Sequence, residues 1–147
     1  MLCSGIIRPM SKKKDRKLNL GQVIIPLGHP NPPEPHELDA AFILARHFRC
    51  TVEFLVPIDD YKRKTADIVM FGTQWEMKSP TGASKATIEN QFRRASKQSK
   101  NIIVDTRRTT LEDKEIEKSI VRETKKHSAI KKVILINKSE KVVEMSL

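Results

Sequence analysis

The chain has 147 residues, with 28 Lys and Arg against 18 Asp and Glu, a formal charge of +10, and 5% aromatic residues. That length suits one domain around a single core and argues against a second, while the charge favours a polyanionic partner through phosphate neutralisation and counterion release. A membrane partner is not expected, because the longest apolar stretches, Val23 to Leu27 and Ala40 to Ala45, are far too short to span a bilayer.

Residues 1–20 are basic and without period, carrying Arg8, Lys12, Lys13, Lys14, Arg16 and Lys17, and read as a flexible arm that serves solubility or attracts phosphates. Residues 21–147 are expected to form one domain. Met10 reads as an alternative start. The few apolar residues at the N-terminus precede the basic cluster, the reverse of a signal peptide, so a cytoplasmic site of action is expected. Cys3 and Cys50 fit no metal spacing and read as free thiols.

Val23 to Ile25 predicts a short edge strand that Pro26 ends, followed by a proline-rich loop from His29 to Pro35. His36 to Phe48 predicts a helix, with Leu38, Ala41, Phe42, Ala45 and Phe48 on one stripe and Glu37 in the first turn, where the helix dipole favours an acid. Thr51 to Val56 reads as a strand and Asp59, Asp60 and Lys64 as a polar surface loop. Residues 66–71 are apolar around one Asp, Gly72-Thr73 supplies a turn, and Gln74 to Ser79 alternates, which predicts a β-hairpin. A loop from Ser79 to Ser84 leads into a helix from Lys85 to Ser99, and Asn101 to Asp105 reads as a buried strand. Leu111 to Lys126 predicts a charged helix with Ile116, Ile120 and Thr124 as core contacts. Lys132 to Asn137 and Lys141 to Met145 predict a closing hairpin around Lys138-Ser139-Glu140. That order argues for an α/β (mixed α+β) fold with one central mixed sheet flanked by helices.

The hairpin carries the chemistry. Alternation sends Glu76 and Lys78 to one face and Trp75 and Met77 to the other, making Trp75 core rather than a base-stacking platform. Asp67 begins the partner strand and can converge on Glu76. Two carboxylates can hold Mg²⁺ through oxygen ligands, the ion can activate a water, and a nearby lysine can orient that water or balance developing charge. The same residue types also occur as ordinary exposed cross-strand pairs.

The order helix with an early Glu, strand, strand with Asp67, strand with Glu76-x-Lys78, helix, strand resembles the PD-(D/E)XK nuclease core, a restriction-endonuclease-like fold. More narrowly, His36 to about Val143 resembles the C-terminal toxin domains of CdiA-type contact-dependent growth inhibition proteins, in the branch with tRNA nuclease activity. The resemblance rests on His36-Glu37 before an Ala-rich helix, Phe54-Leu55-Val56-Pro57, Thr65-Ala66-Asp67-Ile68, Trp75-Glu76-Met77-Lys78-Ser79-Pro80, Ile88 to Ser99, and Ile102 to Asp105. It covers about three quarters of the 147 residues. Ala66 stands where that family often has proline, a conformational difference rather than a chemical one. The resemblance implies a Mg²⁺-dependent endonuclease with Asp67 and Glu76 as metal ligands, Lys78 positioning water, and Glu37 as a third acid, with Glu34 the alternative. It implies tRNA as substrate and a cognate immunity protein, expected to be acidic.

Arg93, Arg94, Lys97, Lys100, Arg107 and Arg108 flank the proposed site and are expected to contact a nucleic-acid backbone. Gln91 and Gln98, on one helix face, are candidates for the substrate backbone or the metal's waters, and Ser84 and Thr87 for capping or a phosphate. The four histidines, His29, His36, His47 and His127, are scattered without ligand spacing. A DNA endonuclease of phage or restriction type would use the same residues, and a binding module that kept the fold without turnover is the remaining alternative.

Overall fold

The computed structural model describes residues 21–58, 65–84 and 86–147. The basic arm expected over residues 1–20 and the loop residues Asp59, Asp60 and Lys64 lie outside that description. The described elements are β1 (Gln22–Ile24), α1 (Pro35–Phe48), β2 (Thr51–Phe54), β3 (Ile68–Met70), β4 (Thr73–Lys78), α2 (Ala86–Ala95), β5 (Asn101–Asp105), α3 (Asp113–Lys126), β6 (Lys132–Ile136) and β7 (Val142–Glu144). The seven strands form one mixed sheet in chain order, parallel at β1–β2, β4–β5 and β5–β6 and antiparallel elsewhere. The sheet curls, so that α1 on one face touches both edge strands, β1 and β7.

Two apolar clusters sandwich the sheet. Ala40, Ala41, Leu44 and Ala45 of α1 pack on Val52, Phe54, Ile68, Met70, Trp75 and Ile103. On the other face Ile88, Phe92 and Ala95 of α2 and Ile116 and Ile120 of α3 meet Ile102, Val104, Val133 and Leu135. The expected stripe on α1 is rotated. Phe42 is 48% exposed while Leu44 is fully buried, because the three small alanines bring the helix close to the sheet and centre the contact on Leu44. On α3 the third core position belongs to Glu123 rather than Thr124. Glu123 is fully buried beside Arg122 and Lys126, and the Thr124 hydroxyl bonds back to the Val121 carbonyl.

The hairpin turn lies one residue earlier than its sequence suggests. Phe71 and Gly72 both have positive φ, at 53° and 71°, and Thr73 already pairs with Met70. This is the two-residue turn whose twist matches that of antiparallel strands. Helix α2 stops at Ala95 rather than Ser99, because the Ser99 hydroxyl and the Asn101 side chain both donate to the Gln74 carbonyl and draw the chain into β5.

Candidate active site

Strand β4 changes partners halfway along its length. Thr73, Gln74 and Trp75 pair with β3, whereas Glu76, Met77 and Lys78 pair with Ile102, Ile103 and Val104 of β5. Where β3 leaves the ladder the Met77 amide would lack an acceptor, and the Asp67 carboxylate takes that place, with Oδ2 accepting from Met77 N at 2.7 Å. Extending the Ile68–Trp75 register by one residue sets Asp67 opposite Glu76. The two acids therefore meet at the fork where the sheet splits. Ile102 and Val104, the parallel partners of Glu76 and Lys78, belong to the α2–α3 cluster, and Trp75 and Met77 pack on the α1 side, so the alternation expected of β4 holds.

Glu76 is 2% exposed. Its Oε1 takes the Lys78 ammonium at 2.7 Å, and its Oε2 has no hydrogen-bond partner among the described residues. Burial first, and the neighbouring Asp67 charge second, push the Glu76 carboxyl up to about 7 against the pull of Lys78. Burial likewise raises Asp67, opposed by the Met77 amide and by Lys78 and reinforced by the charge of Glu37. The Lys78 ammonium is held from a second side, donating to Gln98 Oε1 at 3.0 Å. Gln98 has left the helix on which sequence placed it, and that departure lets it turn in to Lys78. A buried and a half-buried acid sharing a fork with one fixed ammonium carry more negative charge than that ammonium neutralises, and this is the arrangement a cation or a proton relieves.

A model of the contact-dependent growth inhibition CdiA C-terminal domain matches residues 64–142, which include Asp67, Glu76, Lys78 and Gln98. The chain belongs to this family. The CdiA-CT/CdiI toxin and immunity complex from Burkholderia pseudomallei contains a similar fold, with a TM-score of 0.56 and 17% identity over 86% of this chain and 100% of that one. Comparison of the sequence with curated proteins gives no match.

In this CdiA C-terminal domain the N-terminus of α1 closes the site from the side. Glu37 lines a cavity of about 240 Å³ together with Asp67, and a smaller one of about 110 Å³ together with Lys78, Ser79 and Asp105. Glu37 is held by a capping contact at the start of α1 and lies near enough for its charge to act on Asp67. Its Oε1 accepts from the Glu34 amide at 2.9 Å, half of a capping box. Glu34, His36 and Glu37 bring ligand atoms within 4.8 Å of one another, so His36 joins a cluster that its sequence spacing gave no sign of.

Asp105 is the site residue that sequence analysis passed over. It ends β5 beside Lys78, is 1% exposed, and forms a bidentate pair with Arg107, at 2.9 Å from Nε to Oδ1 and 2.8 Å from Nη2 to Oδ2. Arg107 Nη2 also donates to the His36 carbonyl at 3.0 Å, tying the start of α1 to the end of β5. The available signal was an acid closing an otherwise apolar, β-branched strand. Of the expected nucleic-acid contacts, Arg107 is thus engaged inside the protein. Arg108 is exposed and meets His36 Nε2 at 2.8 Å, and Arg93, Arg94 and Lys97 lie exposed on and just after the end of α2. Ser84 meets the Thr87 hydroxyl at 3.3 Å, a local contact within the first turn. Gln91 lies on α2, half-buried, and does not share a helix face with Gln98.

Replacing Arg107 by Ala leaves Asp105 buried without its counter-charge, which costs about 3–5 kcal/mol. Thermal or denaturant unfolding of Arg107→Ala is expected to show that loss, and Arg107→Lys, which keeps the charge without the fork, a smaller one. Wild-type stability in the alanine variant would mean that Asp105 has no need of its partner.

Proposed function

We propose that this domain is a metal-dependent endoribonuclease toxin that hydrolyses a phosphodiester in tRNA, on a core of the PD-(D/E)XK type. The observation that carries the reading is the convergence of the buried Glu76 and half-buried Asp67 carboxylates where β4 changes partners, with the Lys78 ammonium fixed beside them. These residues fit a divalent cation. The donors are hard carboxylate oxygens, Glu76 Oε2 has no hydrogen-bond partner among the described residues, and both carboxyls are pushed toward protonation, Glu76 to about 7. Asp67 and Glu76 would hold the ion, with Glu37 in support. Mg²⁺ bound there would polarise the scissile phosphate and lower the pKa of a water to make it nucleophilic near pH 7.

The protein's own residues do the rest. Lys78, clamped between Glu76 and Gln98, presents N–H donors where an attacking water or a phosphate oxygen accumulates negative charge, and its fixed position means that little reorganisation is needed during reaction. Arg93, Arg94 and Lys97, exposed on and just after α2, and Arg108, exposed after β5, hold the backbone through phosphate contacts that carry no sequence information. Gln98 acts through Lys78. Its replacement by Ala is expected to lower kcat about tenfold with little change in nucleic-acid affinity, read from single-turnover cleavage beside a binding titration. A pure affinity loss would place Gln98 on the substrate instead.

The preference for tRNA rests on the resemblance in Trp75-Glu76-Met77-Lys78-Ser79-Pro80 to the tRNA-cleaving branch. The toxin role rests on the family and on the nature of the similar complex from Burkholderia pseudomallei. A cognate immunity protein, acidic and covering the basic face, goes with that role. No helix among the described residues is long and apolar enough to cross a membrane, and the substrate places the action in a target cytoplasm. The test is incubation with total tRNA and with plasmid DNA, each with Mg²⁺ or EDTA. Discrete tRNA fragments that EDTA abolishes are expected. Nicked plasmid would move the assignment to DNA, and cleavage of neither would leave a binding module.

A further inference from the structure

A cavity lies away from the acids, toward the opposite end of β4. It measures about 400 Å³, has an apolar aromatic wall of Phe48, Met70, Phe71 and Trp75, and carries Lys131 and Lys132. That volume lies within the range that takes a small ligand. Phe71 is 68% exposed and meets Phe48 edge-on, with ring centroids 6.0 Å apart. It also holds φ at 53°, in a turn position that Asn or Gly would occupy without strain. A large aromatic kept exposed on unfavourable backbone is not explained by folding, and such outliers cluster at binding sites. Trp75 is 6% exposed, and its indole N–H has no acceptor among the described residues. Glu144, also in the lining, supplies an acceptor of the kind an exocyclic amine uses.

Backbone hydrogen bonds tie one wall of this cavity to the segment that carries Gln98. Gln98, bonded to Lys78, stands next to Lys97. Two residues beyond Gln98, the Lys100 carbonyl accepts from the amides of Lys131 at 2.7 Å and Lys132 at 3.4 Å. Lys97, Lys100, Lys131 and Lys132 are all exposed and lie on two backbone segments joined by these hydrogen bonds, between Gln98 and the cavity. Phosphates tracked by lysines, with an aromatic wall at the end of the track, are the two components of single-stranded nucleic-acid binding, in which a splayed base stacks on an aromatic ring.

We propose that the cavity is a second nucleotide subsite, which takes one unstacked base of the RNA against Phe71 while Lys131 and Lys132 hold the adjoining phosphates. The proposal rests on the endoribonuclease reading. It adds that the substrate is engaged in a single-stranded or loop segment reaching beyond the scissile bond.

The chain's single tryptophan lines the cavity and reports on it. Adenosine 5′-monophosphate is expected to change Trp75 fluorescence saturably, and Phe71→Asn to abolish that change. Because Asn suits positive φ, the same variant should unfold at a higher temperature while its KM for RNA rises about tenfold, a combination that damage to the fold does not produce. The double variant Lys131→Glu, Lys132→Glu should raise KM at least as far and flatten its dependence on salt. RNA kinetics in both variants equal to those of an active wild type would overturn the proposal, including the case in which they lose only a protein partner. Should the wild type cleave no nucleic acid, the endonuclease reading fails by itself. The nucleotide titration then decides the cavity: a saturable response that Phe71→Asn removes supports a base subsite, and no response overturns it.

Discussion

Lys78→Ala is expected to lower the cleavage rate by about two to three orders of magnitude, the loss typical when a donor stabilising transition-state charge is removed from a preorganised site. The ammonium makes two fixed contacts, 2.7 Å to Glu76 and 3.0 Å to Gln98, in a side chain 17% exposed, so water cannot easily take its position. Glu76→Gln should be as severe, because the amide keeps the size of the side chain but loses the charge that would bind a cation. Both variants should retain nucleic-acid affinity within a few-fold, since the phosphate contacts lie elsewhere on the basic surface. Electrophoretic separation of tRNA fragments, beside a filter-binding titration, reads both quantities. Full cleavage by either variant would remove the hairpin from the mechanism.

The second large effect is on stability and follows from the same buried acid. Glu76 titrates near 7 in the folded protein against about 4.5 for an ordinary glutamate, so the folded state binds this proton more tightly than the unfolded one. A carboxyl raised in this way contributes no penalty below pH 4.5, where both states are protonated. It destabilises the fold progressively as pH rises to 7, with the full cost present above that. The gap corresponds to roughly 3 kcal/mol in the metal-free protein, and Asp67, shifted in the same direction, adds to it. In EDTA the wild-type Tm should therefore fall relative to that of Glu76→Gln between pH 5 and pH 8. Mg²⁺ should reverse the difference at pH 8 and have little effect at pH 5, because only the ionised pair binds it and binding to the folded state adds stability by mass action. A Tm difference independent of pH, or a Mg²⁺ response in Glu76→Gln equal to the wild type's, would contradict this account.

How far the sequence could be read follows the range of each signal. Short, strongly patterned segments read correctly: Asn101 to Asp105 was placed residue for residue as β5, and the alternation from Gln74 put Glu76 and Lys78 on the face they occupy. These depend on strand periodicity, which a sequence carries locally. The turn was misplaced by one residue, because Gly72 marks a turn without saying which neighbour shares it, and Phe71 is a residue that a turn rarely takes. The end of α2 was overrun because what stops it, the Gln74 carbonyl, is far away in sequence. The α1 stripe misled at Phe42, since an Ala-rich helix has more than one face that can pack and the curl of the sheet selects among them.

By itself the sequence determined the order of strands and helices, the basic surface, and the presence of Asp67, Glu76 and Lys78 on one hairpin, because each is a property of neighbouring residues. Only the tertiary structure decided that β4 hands over from β3 to β5 at Glu76, that Asp67 takes the amide left free there, and that Gln98 and Asp105 converge on Lys78 from separate segments. It also buried Glu76, and burial is what turns an ordinary carboxylate into one that titrates near neutrality. The cost of removing a charge from water depends on everything packed around it, and no local pattern of residues records that.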